Sequence, residues 1–294
     1  LGCQAIRVIE PLYLHVTQGY WGAATYAQGE FMSRLAGGPH DFVNPNGLAY
    51  IIVSVLPFFY FFTPLSWVHK IIFLLGFPAF VYALILTSSR SGILGFLVVL
   101  LGFIYKSQKR VLLGLLVLIM AVVGFFMLDP SHQDRYLSIV DSHTSHSLTA
   151  ASRWEKVLVH LDIALQRPLF GYGLSTSAEA YYEYTGTSLI AHNLFVEVAE
   201  ELGFIGLVIF LMFMKSIIMN FMESYKILKD NIKDNLFLMK FTDSMQVWMW
   251  MNIIFSFASY GLSSYGWYLF AGLSVSLLNI SLNTVKGDSA SSVV

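Results

Sequence analysis

His192 and Asn193 stand immediately before an apolar segment. Glu197, Glu200 and Glu201 follow in its first turns, ahead of Gly203-Phe204-Ile205-Gly206-Leu207-Val208-Ile209-Phe210. Imidazole is the side chain that takes or gives a proton near neutrality without special help. Glu197 and Glu201 are one helical step apart and share a face. Acids in early turns also suit the positive end of the helix dipole, so the glutamates have a structural explanation. His192 does not share it: it is either a proton-transfer group or an interfacial histidine bonded to a backbone carbonyl. Two arginines offer complementary chemistry, because the planar guanidinium binds phosphate or carboxylate through two parallel hydrogen bonds. Arg90 lies in Thr87-Ser88-Ser89-Arg90-Ser91-Gly92, a turn too short to carry it far from two packed helices. A charge held there is costly and reads as a ligand contact or as a helix-end anchor. Arg153 lies in Ser152-Arg153-Trp154-Glu155, a capping-box pattern. An arginine in a first helical turn joins free N–H groups that favour an anion, or else snorkels to a membrane interface.

The elements that must carry these residues are apolar. Of 294 residues 56% are hydrophobic and 12% charged, with mean hydropathy +0.65. Soluble domains carry roughly 25% charged residues, so the composition is that of an integral membrane protein. A net charge of −1 gives no sign of a nucleic-acid partner, and none is expected. The single cysteine, Cys3, excludes an internal disulfide and a cysteine-based metal site. A crossing helix needs roughly 20 mostly apolar residues. About seven segments qualify: 46–63, 69–88, 91–106, 110–128, 193–216, 244–263 and 265–284. The expected fold is all-α, a polytopic transmembrane bundle. An outer segment 1–45 precedes four spans in 46–128. A large outer loop, 129–191, is followed by three spans in 192–284 with a basic loop at 223–243, then a disordered tail at 285–294.

Short basic loops face the cytoplasm. Lys106-Ser107-Gln108-Lys109-Arg110, Lys226, Lys229, Lys233 and Lys240 set the orientation, and alternation puts 1–45, Arg90 and 129–190 outside. Every lysine but Lys156 then falls inside, and every arginine but Arg110 falls outside. The inside rule does not explain the outer arginines. Two readings do: an anionic ligand on that face, or anionic lipid headgroups. In the outer loop, Trp154, Val157, Leu158, Leu161, Ala164 and Leu165 recur at helical spacing before Pro168, the pattern of an amphipathic helix on the membrane surface. Pro168-Leu169-Phe170-Gly171-Tyr172-Gly173 is a turn cluster, and Tyr181-Tyr182-Glu183-Tyr184 reads as a sugar-stacking platform or as an interfacial aromatic belt.

Taken in order, these pieces resemble the O-antigen ligase and O-antigen polymerase family of bacterial envelope glycosyltransferases. The resemblance rests on Asn44-Pro45-Asn46-Gly47, Ser89-Arg90-Ser91-Gly92, Ser152-Arg153-Trp154 and the Pro168–Gly173 turn. It continues through Ala191-His192-Asn193-Leu194-Phe195-Val196-Glu197 and Glu201-Leu202-Gly203-Phe204-Ile205-Gly206, and so covers about residues 34–210. It implies a glycosyltransferase of the bacterial inner membrane with its active site facing the periplasm. The donor it implies is a glycan on undecaprenyl diphosphate, with no cofactor and no metal. The acceptor is a glycan, the lipid A core or a protein. By motif match His192 is the catalytic residue, and Arg90 and Arg153 bind the donor diphosphate. Arg34, Asn193, Glu197 and Tyr172 are secondary candidates. Arg34 departs from the family pattern, because Gly37-Gly38-Pro39-His40-Asp41 lengthens its distance to Asn44. Family members have more than seven spans, so further sequence is expected upstream of Leu1. A reading from another class, a transporter or flippase for an anionic lipid-linked or polysaccharide substrate, is weakened by the gathering of ionisable residues on one side, since transporters place their sites near the midplane.

Overall fold

The computed structural model describes residues 1–27, 30–107, 110, 111, 115, 147–231, 235–259, 261, 262 and 266–291. The expected span 110–128 and the first part of the outer loop, with Arg135, fall almost wholly outside these residues. The chain forms two units: residues 1–151 with 250–255, and residues 152–249 with 256–294.

In the first unit, helix α1 (Gly2–Gln18) leads into an antiparallel hairpin of β1 (Gly22–Ala27) and β2 (Glu30–Leu35), with Gly22 opposite Leu35 and Ala27 opposite Glu30. Helices α2 (Pro45–Phe61), α3 (Trp67–Leu86) and α4 (Arg90–Lys106) follow. The chain is helical as expected, apart from this hairpin, which the expected all-α fold lacks. Its strands show little apolar–polar alternation, the signal by which a half-buried strand is recognised. Helix α2 is the core of the unit. Asn44 caps it by accepting a hydrogen bond from the Gly47 N–H, and Pro45 supplies the pre-set first turn. Leu48, Ala49, Ile52, Val53 and Leu56 are fully buried along it. A helix apolar on all sides must be covered all round, and α1, α3 and α4 pack against α2. Helix α4 comes closest: a Cβ added at Gly92 would lie 2.6 Å from the Ala49 Cβ. Small residues that let helix backbones approach are the usual means of packing in a bilayer.

The second unit holds all but the first turn of α5 (Ser147–Gln166), then α6 (Ser177–Thr185), α7 (Leu194–Asn231), most of α8 (Leu236–Ser256) and α9 (Gly266–Ser291). Helix α5 begins before Ser152, so Arg153 sits in its second turn rather than its first. Helices α7 and α8 take in most of the expected basic loop 223–243, and α9 runs past residue 285 to Ser291. Helices α7 and α9 pack together, with Asn220 donating to Ser274, and Trp248 of α8 lies tilted against Phe270 of α9 at 4.1 Å between ring centres. Two helices among the described residues, α3 and residues 194–230 of α7, are long and apolar enough to cross a bilayer, and most of their surface is exposed. Helix α2 is apolar but shorter.

Candidate functional site

The elements of the second unit converge on the start of α7. Asn193 caps the helix: its side-chain oxygen accepts hydrogen bonds from the N–H groups of Phe195 (3.0 Å) and Val196 (3.3 Å). Its amide donates to the Phe257 carbonyl at 3.3 Å. The helix then breaks at Gly203, whose φ of 71° and ψ of −179° belong to a region only glycine occupies. The break frees main-chain groups that an unbroken helix would pair with each other. The Pro168–Gly173 turn takes them up. Phe204 N–H donates to the Pro168 carbonyl (2.7 Å), while Tyr172 and Gly173 donate to the Glu200 and Glu201 carbonyls, both at 2.9 Å. The backbones lie so close that a Cβ on Gly203 would be 2.2 Å from the Leu169 oxygen, and one on Gly171 would be 2.5 Å from the Glu200 oxygen.

The short helix between His192 and this break carries three glutamates, 4%, 0% and 2% exposed at positions 197, 200 and 201. Each holds a different piece of chain. Glu197 accepts hydrogen bonds from the N–H groups of Gly261 (2.8 Å) and Leu262 (3.3 Å) ahead of α9. Glu200 meets His160 of α5, with 2.8 Å between Oε2 and Nδ1. Glu201 accepts from Ser175 N–H (2.8 Å) and Ser177 N–H (3.4 Å) before α6. A buried carboxylate without such partners would be prohibitively costly. The glutamates are therefore the clamps that fix α5, the Gly173–Ser177 turn and the approach to α9 around one helix start.

His192 itself is exposed, in the bend before Asn193. It lines a small, shallow recess together with Lys156, Val157, His160, Leu189 and Ile190. Position 153 lies one turn before Lys156 and Val157 and two turns before His160 along α5. Tyr172 packs beside Ile163, Ala180 and Tyr181, donates to Gln166 at 3.1 Å, and lies under the Arg167 guanidinium at 4.4 Å. It supports the turn.

Arg90 belongs to the first unit. Ser89 caps α4 by accepting a hydrogen bond from Gly92 N–H (3.2 Å), and its hydroxyl donates to the Asn46 side-chain oxygen (2.9 Å). Ser88 is held at φ 48°. Arg34 is buried beneath this corner. Its Nε donates to the Thr87 carbonyl at 2.8 Å, and its Nη2 donates to the Asn46 Oδ1 at 3.0 Å. The Asn44–Gly47 and Ser89–Gly92 elements are thus tied to one another through Arg34, and they present a half-buried Arg90 at the head of α4. Arg7 likewise engages Asp41 through two bonds of 2.6 and 2.7 Å. This ion pair draws the Asp41 carboxyl below its ordinary pKa, through the hydrogen bonds first and the charge second.

His192, Asn193, Glu197, Tyr172 and Arg153 thus belong to one unit, and Arg90 and Arg34 to the other. Asn193, Glu197, Tyr172 and Arg34 all hold structure together. The sequence reading did not select His160 and Glu200. Their signal was the two-turn spacing of His160 from Arg153 on one stripe. Among the described residues no three of His, Cys, Asp or Glu converge where a metal ion would bind.

Two helices among the described residues that are long and apolar enough to cross a bilayer, with an apolar composition throughout, suggest an integral membrane protein. Residues 71–211 match the family model described as O-antigen ligase, which supports membership of that family. The match spans Arg90, Arg153, the Pro168–Gly173 turn, His192 and the Gly203 break. It assigns a glycan-transferring role in O-antigen or polysaccharide synthesis. No curated protein matches the chain.

Proposed function

We propose that the chain transfers a glycan from an undecaprenyl-diphosphate-linked donor to an acceptor hydroxyl at the outer face of the inner membrane. The observation that carries this reading is the placement of His192. It is an exposed imidazole at a helix start, which Asn193 and three buried glutamates lock in place, and it lines a recess together with residues of α5, the helix that carries Arg153. His192 takes the proton from the acceptor hydroxyl. The acceptor oxygen bonds to the anomeric carbon as the bond from that carbon to the phosphate oxygen breaks, and the polyprenyl diphosphate leaves with the electron pair. Arg90 and Arg153 stabilise the charge that develops on the diphosphate, where preorganised donors contribute most to such a step. The sugar arrives already activated by its leaving group, so the step runs without a metal. The seven-span arrangement and the outward orientation are part of the same reading. They are supported by the sorting of lysines and arginines and by the exposed apolar surface of α3 and α7.

Two acceptors fit this chemistry: a lipid A core sugar in a ligase, and the end of another repeat unit in a polymerase. Glycans from a deletion strain separate them, since a missing ligase leaves free lipid-linked polymer and a missing polymerase leaves single repeat units. The direct test is His192→Ala in purified full-length protein. Donor binding should stay largely intact, while transfer falls by roughly the 10²–10⁴-fold expected for a lost general base. Transfer near the wild-type rate would remove His192 from this role.

A further inference from the structure

Helix α5 is apolar on two opposite sides. At 3.6 residues per turn, His160, Ile163 and Ala164 fall on one side, and all three are buried. Trp154, Leu158 and Leu165 recur on the other side, and all three are exposed. Glu155 and Asp162 flank this exposed stripe. Packing within the second unit therefore uses one apolar face of α5 and leaves the other in the open. Two more large apolar side chains follow in the Pro168–Gly173 turn, where Leu169 is 60% and Phe170 76% exposed. A row of exposed apolar side chains marks a surface that meets a membrane or another protein.

The turn cannot move independently of α7. Its main chain is bonded to Phe204 through the Pro168 carbonyl, and to the Glu200 and Glu201 carbonyls through the Tyr172 and Gly173 N–H groups. Leu169 and Phe170 lie between these bonds, with the Leu169 carbonyl and the Phe170 nitrogen against Gly203. From Leu202 to Met214, α7 carries no charged residue, and Ile205, Val208 and Ile209 are exposed along it. This run belongs to a helix long and apolar enough to cross a bilayer. The exposed side chains of the turn thus stand at the edge of a surface suited to acyl chains, and that continuity identifies what covers them.

We propose that Leu169 and Phe170, continuing the outer stripe of α5, form a membrane-inserted tip that buries among the acyl chains beside the start of the uncharged run of α7. An amphipathic helix lying on a bilayer is held by its apolar face alone. Here the tip is also bonded to α7, so it fixes the depth at which the start of that helix, with His192, stands in the leaflet. The inference rests on α7 spanning the membrane and is independent of the glycan-transfer reading.

The test is spin labelling of full-length protein in vesicles of phosphatidylethanolamine and phosphatidylglycerol. Phe170→Cys, Leu169→Cys, Val208→Cys and Glu183→Cys are each made in a Cys3→Ser background. Collisions of the label with oxygen, which concentrates among acyl chains, are compared with collisions with a water-soluble nickel chelate. Labels in Phe170→Cys and Leu169→Cys should match the label in Val208→Cys and collide mainly with oxygen. The label in Glu183→Cys, at an exposed position of α6, should collide mainly with the chelate. Two tip positions keep the result decisive if one variant fails to fold. Chelate access at either tip position equal to that in Glu183→Cys would place the tip in water. Shielding from both reagents would place it against another protein surface, such as a second copy of the chain. Either result ends the proposal. Chelate access in Val208→Cys would take α7 out of the bilayer and the proposal with it.

Discussion

At the level of single residues, the arginines that the sequence reading grouped on one face do different work. Arg7 is committed to Asp41, Arg34 to the Thr87 carbonyl and Asn46, and Arg167 lies over Tyr172. The anionic-ligand reading of the sequence concerns Arg90 and Arg153. If these two grip a diphosphate through their planar forks, lysine is no substitute. Arg90→Lys and Arg153→Lys should each lose most transfer activity at normal expression, whereas Arg135→Lys should be close to silent. Full tolerance of lysine at both positions, measured in the same transfer assay, would reduce them to generic positive anchors. Arg7–Asp41 gives a pH prediction. The pair depresses the Asp41 pKa in the folded protein, so its stabilisation is present above the unfolded value of about 3.9 and is lost as pH falls through the lower folded value. Asp41→Asn should therefore melt below the wild type at pH 7, and the gap should close in strong acid. A gap that persists there would show that the pair acts through something other than charge.

Among the elements, the beginning of α7 shows what local sequence conveys and what it does not. The Pro168–Gly173 turn and the amphipathic α5 were legible, because each is a short-range pattern with a side-chain signature, whereas Asn193 was read only as opening the apolar segment and not as its cap. The docking of that turn onto Glu200, Glu201 and Phe204 was not. It is made by main-chain bonds between segments about thirty residues apart, and backbone groups are the same in every residue. Its trace in the sequence is the pair Gly171 and Gly203, whose spacing has no meaning until the fold brings them together. The glutamates misled for a related reason: their spacing suits a helix dipole, yet burial and three separate partners explain them. Gly203→Ala tests the docking. The backbone region alone costs on the order of 1–3 kcal/mol for a residue with a side chain, and the added Cβ meets the Leu169 carbonyl. Melting temperature and transfer activity should fall together. Gly2→Ala, at an open site in α1, should change neither. An undisturbed Gly203→Ala protein would mean that the break is not required.

For the whole molecule, helical class and family were readable from composition and motif order, while the continuity of α7 and α8 through the expected basic loop and the β1–β2 hairpin were not. Lysine placement is a statement about loops, and it holds equally when the lysines ride on helix ends. Orientation is thus open to direct measurement. A cysteine at Ser145 should react with an impermeant maleimide in intact spheroplasts, and one at Asn231 should not. The reverse pattern would invert the arrangement and put His192 in the cytoplasm.

The docking of Pro168–Gly173 onto Glu200–Phe204 closes the chain between them into a loop pinned at its base. The cost of closing such a loop grows only slowly with its length. The exposed stretch 182–188 can therefore lengthen, shorten or change character without moving the start of α7. Leu189 and Ile190, which follow it, line the recess beside His192, so variation there would reshape that recess while the start of α7 stays in place.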